Sequence, residues 1–380
     1  MIVNFDNAAT TFPKPPEVRL AVEKALVRYG SAGRGGHPIA ARTSEMVYAA
    51  RETAADFFGA QPEQVVFTLN CTHALNLAIQ GMAQGGGLFV ISDMEHNSVL
   101  RPVYALAKKG KIRYSIAAVK ETPAETVQSF RSQLRPDTKA VICMLASNVT
   151  GQILPWREIG AICQQRGICF IADGAQGCGT LPVKLSDGIN ILCTAGHKGL
   201  YGITGTGLLI SDGKFPLPPL MQGGTGSISN QPEQPDFLPD SLECGTLNVI
   251  GAASVKAGIE FVRKKGIPEI FRAESALCGL LAERLRSIPN VIVYRSPRAE
   301  YAPIVSFNIR DLPSEETAQL LAKEGFCLRA GLHCAPLAHH RLGTENGTVR
   351  FAPSVFSRPQ DVLRLAEAVR GIAENNKNFM

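Results

Sequence analysis

Short runs of apolar residues alternate along the first two thirds of the chain with segments whose apolar positions recur every three or four residues. The short runs are rich in Val, Ile and Leu and predict strands, whereas the periodic segments predict amphipathic helices. The predicted strands are Val65–Thr68, Leu88–Ser92, Ile112–Val119, Lys139–Leu145, Ile168–Asp173, Ile189–Thr194 and Thr206–Ser211. The predicted helices between them include Thr72–Ala83, Ser98–Lys109, Ala124–Leu134 and Trp156–Arg166. This alternation favours an α/β fold with a mainly parallel seven-stranded sheet, covered on both faces, and a ligand site at the carboxyl ends of its strands.

From about Leu247 the pattern changes to longer helices and a second set of strands. The predicted helices there are Leu247–Lys265, Glu269–Ile288, Glu315–Lys323 and a final one that starts near Pro359, and the predicted strands are Asn290–Tyr294, Ile304–Ile309, 326–330 and 348–352. We therefore predict a large domain of residues 15–250 and a smaller α+β domain formed by residues 1–14 and 251–380. The segment Gly226–Pro239, rich in Pro, Gln, Ser and Asn, predicts a long loop between the halves.

The composition is that of an ordinary globular protein: 45% of the 380 residues are hydrophobic and 19% are charged. The formal net charge of +6 is spread without a block of like charges, so binding to nucleic acid or to a membrane surface is not predicted. No apolar run is long enough to span a membrane, and the first residues carry no signal-peptide pattern. The ten cysteines include no CxxC pair, and most of them lie in apolar strand or helix contexts of a chain too large to need disulfides. This favours a reducing compartment, and we expect a cytoplasmic location.

The first candidate for chemistry is a carboxylate followed by a lysine. Asp173 ends a predicted strand, and Lys198 follows in the turn Gly196–Lys198. A lysine can hold pyridoxal 5′-phosphate as a Schiff base, while a carboxylate keeps the pyridine nitrogen of that cofactor protonated. The turn Asn70–His73 offers backbone N–H groups and a hydroxyl to a phosphate, although taken alone it also fits a plain threonine helix cap. Neither GxGxxG after a strand nor GxxxxGK[ST] occurs, so dinucleotide and P-loop chemistry is not predicted.

A series of short motifs occurs in one order along nearly the whole chain. The motifs are Asp6–Thr11, Arg34–His37, Glu95–Ser98, Ser147–Gly151, Asp173–Gln176, Gly196–Lys198, Glu243–Asn248 and Arg329–Cys334, followed by Arg350. Together they resemble the motifs of class V aminotransferase-like proteins, which are fold type I pyridoxal phosphate enzymes, and among these the cysteine desulfurases. The resemblance implies a pyridoxal phosphate enzyme that removes sulfur from L-cysteine and releases L-alanine.

The same resemblance implies a role for each matched position. Lys198 would carry the cofactor and move a proton at Cα, Asp173 would pair with the pyridinium nitrogen, and His96 would stack on the ring and act as acid or base toward the substrate thiol. The other implied cofactor contacts are Cys71, Thr72, His73, Asn148, Gln176, Thr194 and His197, with Thr246 of the partner subunit in a homodimer. The substrate contacts are assigned to Arg350, Arg329, Asn148, Asn7 and Ala8, because a guanidinium binds a carboxylate in a bidentate manner.

Cys334 determines which reaction we expect. It lies in the segment Arg329–Pro336, where small residues predict an exposed turn. Desulfuration needs a thiolate that attacks the sulfur of the cofactor-bound cysteine, and we expect His333 and Arg329 to favour that thiolate. The short loop resembles that of the group II, Suf-type desulfurases. Cys334 would then take the sulfur as a persulfide and pass it to an acceptor protein, for example in iron–sulfur cluster assembly.

Three other functions stay open on the sequence. A selenocysteine lyase shares the scaffold and would act on L-selenocysteine, a class V aminotransferase or another amino-acid lyase would not need Cys334, and a binding scaffold without activity would not need Lys198. A zinc site from His333, Cys334, His339 and His340 matches no standard zinc spacing, so no metal is predicted.

The chain also departs from the pattern of the family at several positions. Ala195 stands where many relatives have a phosphate-binding Ser, so Thr194 is expected to replace that contact. Cys71 stands in place of a more usual Thr, Gly199 follows Lys198 as an extra residue, and Leu332 replaces a common His. The sequence leaves open the preference between cysteine and selenocysteine and the identity of the acceptor.

Overall fold

The computed structural model of the protein describes residues 2–33 and 35–377. The strands are β1 (Val3–Asn4), β2 (Val65–Thr68), β3 (Leu88–Ser92), β4 (Arg113–Ala117), β5 (Thr138–Met144), β6 (Cys169–Asp173), β7 (Ile191–Ala195), β8 (Gly207–Ser211), β9 (Val291–Val293), β10 (Val305–Ile309), β11 (Phe326–Cys327) and β12 (Val349–Phe351). The helices are α1 (Pro16–Arg28), α2 (Pro38–Phe58), α3 (Cys71–Met82), α4 (Asn97–Lys108), α5 (Pro123–Gln133), α6 (Trp156–Gln165), α7 (Val249–Lys265), α8 (Ile267–Arg286), α9 (Ser314–Lys323), α10 (Pro336–Leu342) and α11 (Pro359–Lys377).

The central sheet has seven strands in the order β2-β8-β7-β6-β5-β3-β4. Strands β3 to β7 run parallel to one another, and β8 pairs antiparallel with β7 and β2. Every residue of β3, β6 and β7 is buried, which explains why these strands have continuous apolar sequences instead of alternating ones. Apolar clusters cover both faces of the sheet. The predicted mainly parallel α/β fold is therefore confirmed.

The parallel order brings the candidate residues to one edge of this sheet. Strands β5, β6 and β7 are neighbours, with Met144 opposite Asp173 and Asp173 opposite Cys193. The segments that leave their carboxyl ends therefore begin side by side. The segment after β5 carries Asn148, the segment after β6 begins at Asp173, and the segment after β7 carries Lys198. This edge is where open α/β sheets bind ligands.

The C-terminal part of the chain has its own core around the antiparallel sheet β12-β10-β9. Strand β1 pairs with β11 in parallel, Val3 opposite Phe326, so the N-terminal residues pack with the C-terminal part. Helix α7, however, packs against α1 and α2. The predicted division of the chain near residue 250 stays a prediction.

The sequence analysis did not identify three helices, α1, α2 and α10. Helix α1 leaves Leu20, Leu26 and Val27 exposed, so its apolar residues are not confined to one face and its period is weak. The predicted loop Gly226–Pro239 is longer than expected, because no helix or strand is present from residue 212 to residue 248. Its C-terminal part is tied to the sheet, since Glu243 forms an ion pair with Arg51 and accepts the Phe67 N–H.

Candidate active site

Lys198 lies in a tight turn just after β7. A Cβ atom on the next residue, Gly199, would lie 2.3 Å from the carbonyl oxygen of Cys178, and a Cβ on Gly179 would lie 2.1 Å from the carbonyl oxygen of Gly199. Real Cβ atoms do not approach other atoms so closely. The extra glycine after Lys198 is therefore required by the close contact between the lysine turn and the turn at Cys178–Gly179.

The N-terminal segment holds the peptide groups of the lysine turn. The carbonyl oxygen of His197 accepts hydrogen bonds from Thr10 Oγ1 (3.0 Å), Lys14 Nζ (2.9 Å) and the Thr11 N–H (3.2 Å), while the Lys198 carbonyl accepts from Thr11 Oγ1 (3.2 Å). Burial lowers the pKa of Lys14 to about 8. The sequence analysis missed Lys14, since it lies outside the matched motifs and nothing in its local pattern points to a residue nearly two hundred positions away.

Replacing Lys14 with Met should lower the free energy of unfolding by about 1–2 kcal/mol, because two hydrogen bonds of a partly buried amine are lost. It should also raise the pKa of His197, which lies at about 4 because of burial and of the nearby charges of Lys198 and Lys14. Denaturant unfolding and an NMR titration of the His197 ring measure the two effects. The exposed Lys323 on α9 provides the control variant Lys323→Met. An unchanged His197 titration in Lys14→Met would contradict the assignment.

The predicted pair of Asp173 and Lys198 faces a common pocket. Asp173 ends β6, is 4% exposed, and accepts at Oδ1 the Ala175 N–H (2.9 Å) and the Cys71 thiol (3.4 Å). Burial lowers the pKa of the Lys198 amine, and Arg350 and Arg329 lower it further, although Asp173 acts in the opposite direction. A lysine with a lowered pKa is more often the neutral amine, which is the nucleophilic form.

The pocket collects most of the cofactor contacts that the sequence predicted. Its walls contain Cys71, Thr72, His96, Asn148, Asp173, Gln176, His197 and Lys198, together with Asn70, Ser98, Met144, Ala146, Ala175 and Ala195. These residues come from the N-termini of α3 and α4 and from the carboxyl ends of the parallel strands.

The N-terminus of α3 forms one wall and can receive an anion. The Asn70 side chain caps the helix by accepting the His73 N–H (2.9 Å), and Ala74 N–H bonds the Asn70 carbonyl. The backbone N–H groups of Cys71 and Thr72 have no acceptor among the described residues. Thr72 Oγ1 lies 2.7 Å from Ser98 Oγ, at the start of α4. Free N–H groups and hydroxyls at a helix N-terminus form a phosphate site.

His96 caps helix α4 with its ring. Nδ1 accepts the Ser98 N–H (3.0 Å), so the proton of the neutral imidazole is on Nε2. Burial lowers the pKa of His96 below its usual value. The negative charge of Asp173 opposes this shift, whereas the charges of Lys198, Arg329 and Arg350 add to it, so the neutral ring predominates near pH 7. In this arrangement His96 offers an N–H to the pocket, and its role as a base requires the Ser98 hydrogen bond to be given up.

Arg350 lies behind the pocket and is 2% exposed. Its Nη1 donates to the Asn148 carbonyl (2.8 Å), and its Nη2 pairs with Asp6 Oδ1 (3.0 Å). Asn148 in turn donates from Nδ2 to the His333 carbonyl (2.7 Å), while its Oδ1 has no partner among the described residues. The pairing with Asp6 was not predicted. Arg350 thus ties Asn148 to the N-terminal segment at Asp6, and Asn148 in turn ties the pocket wall to the loop before α10.

Two predicted substrate contacts, Asn7 and Ala8, form hydrogen bonds with other parts of the chain. Asn7 donates from Nδ2 to the Ala352 carbonyl (3.0 Å) and accepts the Phe12 N–H (3.0 Å), so its side chain shapes the N-terminal segment. The Ala8 carbonyl accepts from Gln176 Nε2 (3.0 Å) and thereby orients a pocket residue.

Three predicted cofactor contacts are outside the pocket of this chain. The Thr194 hydroxyl donates to the Gly174 carbonyl (3.3 Å) on the sheet face opposite to Ala195, because successive strand side chains point to opposite faces. The structure therefore does not support the expectation that Thr194 replaces the missing serine. The His73 ring accepts the Leu69 N–H (3.3 Å) instead of lining the pocket, and Thr246 is exposed in the long loop.

Cys334 lies on a short loop between β11 and α10 and is exposed. The loop is docked on helix α4, since the Cys334 carbonyl accepts the Asn97 N–H (2.7 Å) beside His96. His333 and Cys334 have φ angles of 47° and 56°, a left-handed conformation that side chains rarely adopt and that the surrounding contacts must maintain. Arg329 Nη2 lies 3.8 Å from the Cys334 sulfur. The thiol is thus held at a defined place next to a cation.

The expectation that His333 favours the Cys334 thiolate is wrong. The His333 ring is 3% exposed and its Nε2 bonds the Thr348 carbonyl (2.9 Å). Burial, together with the positive charge of Arg350, lowers the pKa of His333 to about 2, so the ring carries no charge that could stabilise a thiolate. Adjacent residues in a turn point in different directions, which the sequence did not reveal.

His333 should make the protein sensitive to acid. Its pKa is about 2 in the folded state and about 6.5 in an unfolded chain, so the unfolded state binds the proton first and folding stability is lost as pH falls from about 6.5 toward 2. His333→Gln keeps a donor for Thr348 and should reduce the slope of unfolding free energy against pH by up to about 1.4 kcal/mol per pH unit. Denaturant unfolding between pH 6 and 4 measures the slope. His340→Gln, at an exposed position of α10, is the control, and equal slopes in both variants would refute the assignment.

No set of three or more His, Cys, Asp or Glu residues in the part of the chain described is arranged to hold a metal ion. His339, one of the residues considered for zinc, bonds the Thr344 carbonyl through Nδ1 (3.0 Å). Within residues 2–33 and 35–377, no helix combines the length and the apolar character needed to cross a membrane.

The fold and this site define a class of protein. The class V aminotransferase family matches residues 3–365, and the chain belongs to that family. The protein is 30% identical to a probable cysteine desulfurase from Methanothermobacter thermautotrophicus, over 97% of this chain and 94% of the relative. It is 31% identical to a probable cysteine desulfurase from Aeropyrum pernix, over 98% and 94% of the two chains.

Solved structures of similar proteins have the same fold. The apo cysteine desulfurase from Thermococcus onnurineus superposes with a TM-score of 0.93 at 28% identity, covering 98% of this chain and 95% of the other. The cysteine desulfurase CsdA from Escherichia coli, in an S-sulfonic acid form, gives a TM-score of 0.88 at 25% identity with the same coverage of both chains. The predicted fold type I architecture and the predicted family are confirmed.

Proposed function

We propose that this protein is a pyridoxal phosphate-dependent cysteine desulfurase that converts L-cysteine to L-alanine and leaves the sulfur on Cys334. One observation carries the proposal: the pocket of Lys198 and Asp173 continues into a groove that reaches Cys334. Thr72, His96 and Ser98 line both cavities. A thiol at the mouth of such a pocket has no role in transamination, whereas desulfuration requires it.

The pocket fits pyridoxal phosphate by the chemistry of its donors. Asp173 is a buried carboxylate for a ring N–H, Lys198 an amine for the aldehyde, and Cys71 and Thr72 offer N–H groups to the phosphate. His197 adds a buried Nδ1 without a partner among the described residues. His96, Asn148 and Gln176 are the proposed contacts to the ring and its hydroxyl. When bound, the cofactor supplies an electron sink for breaking the bonds at Cα and Cβ of the substrate.

Each residue of the site would then have its own task in the reaction. Lys198 removes the proton from Cα and returns a proton to the substrate carbon, and His96 donates or accepts the proton of the substrate thiol. The Cys334 thiolate attacks the substrate sulfur, so that one S–S bond forms and the C–S bond breaks. The products are L-alanine and a Cys334 persulfide, without a net oxidant or reductant. Arg329, whose Nη2 lies 3.8 Å from the Cys334 sulfur, would help to position that sulfur.

Binding of the substrate carboxylate is proposed for Arg329 and Arg350, with Asn148 beside them. Both guanidinium groups lie close enough to the pocket to lower the pKa values of Lys198 and His96, an effect that the negative charge of Asp173 opposes. The bonds of Arg350 to Asp6 and Asn148 hold it rigidly for that role. Asn7 and Ala8 contribute by shaping the N-terminal segment.

A homodimer is part of the proposal. Thr246, the expected phosphate contact of the partner subunit, is exposed and does not line the pocket of its own chain. Large apolar side chains are exposed on α1 and α2, namely Leu20, Leu26, Val27, Ile39 and Tyr48. Such surfaces mark protein interfaces. An enzyme that sedimented as an active monomer would contradict this part of the proposal.

The direct test is a product assay. The protein, reconstituted with pyridoxal phosphate, is incubated with L-cysteine, and alanine and protein-bound persulfide are measured; equimolar alanine and sulfur are expected. L-selenocysteine in a parallel reaction distinguishes a lyase that prefers selenium. Formation of a keto acid without alanine would show an aminotransferase instead. A sulfur-acceptor protein is proposed to take the persulfide, because the thiol is exposed.

A further inference from the structure

Cys71, the first residue of α3, makes a contact that the proposed mechanism does not use. Its sulfur lies 3.4 Å from Oδ1 of Asp173, and its side chain is 7% exposed. A carboxylate can only accept a hydrogen bond, so the thiol is the donor. The contact joins the helix that offers N–H groups to a phosphate with the strand that carries the candidate pyridinium partner.

The contacts of Asp173 are concentrated on one of its two oxygens. Oδ1 accepts both the Cys71 thiol and the Ala175 N–H, whereas Oδ2 has no donor in the part of the chain described. A carboxylate held at one oxygen by two donors cannot rotate freely. The second oxygen then remains available to the pocket that Asp173 lines.

The thiol of Cys71 remains a donor at physiological pH. Burial raises the pKa of Cys71 well above its usual value, and the negative charge of Asp173 raises it further. A thiolate at this position would face a carboxylate at contact distance, which is unfavourable. Cys71 is therefore not a second nucleophile beside Cys334.

We propose that Cys71 is a positioning residue for Asp173: its thiol proton and the Ala175 N–H fix Oδ1, so that Oδ2 is presented to a ring N–H of the bound cofactor. The contact itself stands on the geometry of this chain, and its consequence for the cofactor rests on the proposed function.

The simpler explanation is that Cys71 only fills space at the start of α3. Cys169 offers a matched comparison, because it is buried in the same apolar cluster but does not line the pocket. A packing role predicts that Cys71→Ala and Cys169→Ala have similar effects. A positioning role predicts that the effect of Cys71→Ala depends on the presence of Asp173.

The first test needs no cofactor. In the infrared spectrum of the apo protein, the S–H stretching band that disappears in Cys71→Ala belongs to Cys71. This band should shift to higher frequency in Asp173→Ala, because the hydrogen bond to the carboxylate is gone, and should not shift in Cys169→Ala. A Cys71 band that is the same with and without Asp173 would overturn the contact.

The second test measures the consequence for the cofactor. Cys71→Ala should raise the apparent Kd for pyridoxal phosphate about tenfold, the effect of losing one hydrogen bond to a charged group, while Cys71→Ser should stay within about threefold because a donor remains. In an Asp173→Ala background, Cys71→Ala should add no further loss. Additive losses would refute the positioning role. A wild-type protein that bound no pyridoxal phosphate would refute both the proposed function and this consequence, while the infrared result would still decide whether Cys71 holds Asp173.

Discussion

The variant Lys198→Ala should produce alanine from cysteine at least about 10³-fold more slowly than the wild type. General acid–base catalysis alone contributes about 10²- to 10⁴-fold, and this substitution also removes the amine that attaches the cofactor. The amine is well suited to both tasks, because burial lowers its pKa and Asp173 shares its pocket. A coupled alanine assay measures the rate, and mass spectrometry after borohydride reduction shows whether pyridoxal phosphate is attached to Lys198.

A charge-matched variant distinguishes the loss of the reactive amine from the loss of its positive charge. Lys198→Arg keeps a cation in the pocket but cannot attach the aldehyde, so it should be as inactive as Lys198→Ala. The exposed Lys323 on α9 serves as a surface control, and Lys323→Ala should retain full activity. A borohydride adduct on any other lysine, or full activity in Lys198→Ala, would rule out the assignment of Lys198 and with it the proposed enzyme.

The second large effect is expected at Cys334. Cys334→Ser should reduce alanine and persulfide formation by about 10³-fold or more while the Kd for pyridoxal phosphate stays unchanged, since a hydroxyl is a poor nucleophile toward sulfur at neutral pH. The loop should keep its shape, because its bond to Asn97 uses the Cys334 carbonyl and not the side chain. Alanine, persulfide and cofactor binding are measured on the same samples.

Cys327 provides the matched control for Cys334. It is the other exposed cysteine among the described residues, and it lies in β11, just before the loop that carries Cys334. Cys327→Ser should transfer sulfur at the wild-type rate. If Cys334→Ser transferred sulfur undiminished, the proposed nucleophile would be wrong, and a cysteine-independent lyase or aminotransferase would explain the activity better.

Most of the central sheet could be predicted from the sequence. Buried parallel strands such as Leu88–Ser92 need apolar residues on both faces, and this leaves a continuous signature that does not depend on distant contacts. The sequence analysis missed helices α1 and α2 because their local signature is weak. Their exposed apolar residues, among them Leu26 and Tyr48, blur the periodicity that identifies a helix with one buried face.

The candidate site was predictable in part. Asp173 and Lys198 stand at places that the strand pattern marks as carboxyl ends, and the structure places both in one pocket. The sequence did not predict that Lys14 would bond the His197 carbonyl, that Thr194 would face away from the pocket, or that the His333 ring would turn toward Thr348. The last two depend on which face of a strand or turn a side chain occupies, and the first depends on how distant segments pack together.

The sequence by itself determined the fold class, the order of the strands and helices it identified, and the residue types available for chemistry, because periodicity and local turn signals are properties of neighbouring residues. Only the tertiary structure decided which of those residues meet. The bond between Cys71 and Asp173 and the ion pair between Asp6 and Arg350 join positions far apart in the chain. Such contacts arise from the packing of whole elements, and packing follows from the complete set of side chains and not from any local pattern.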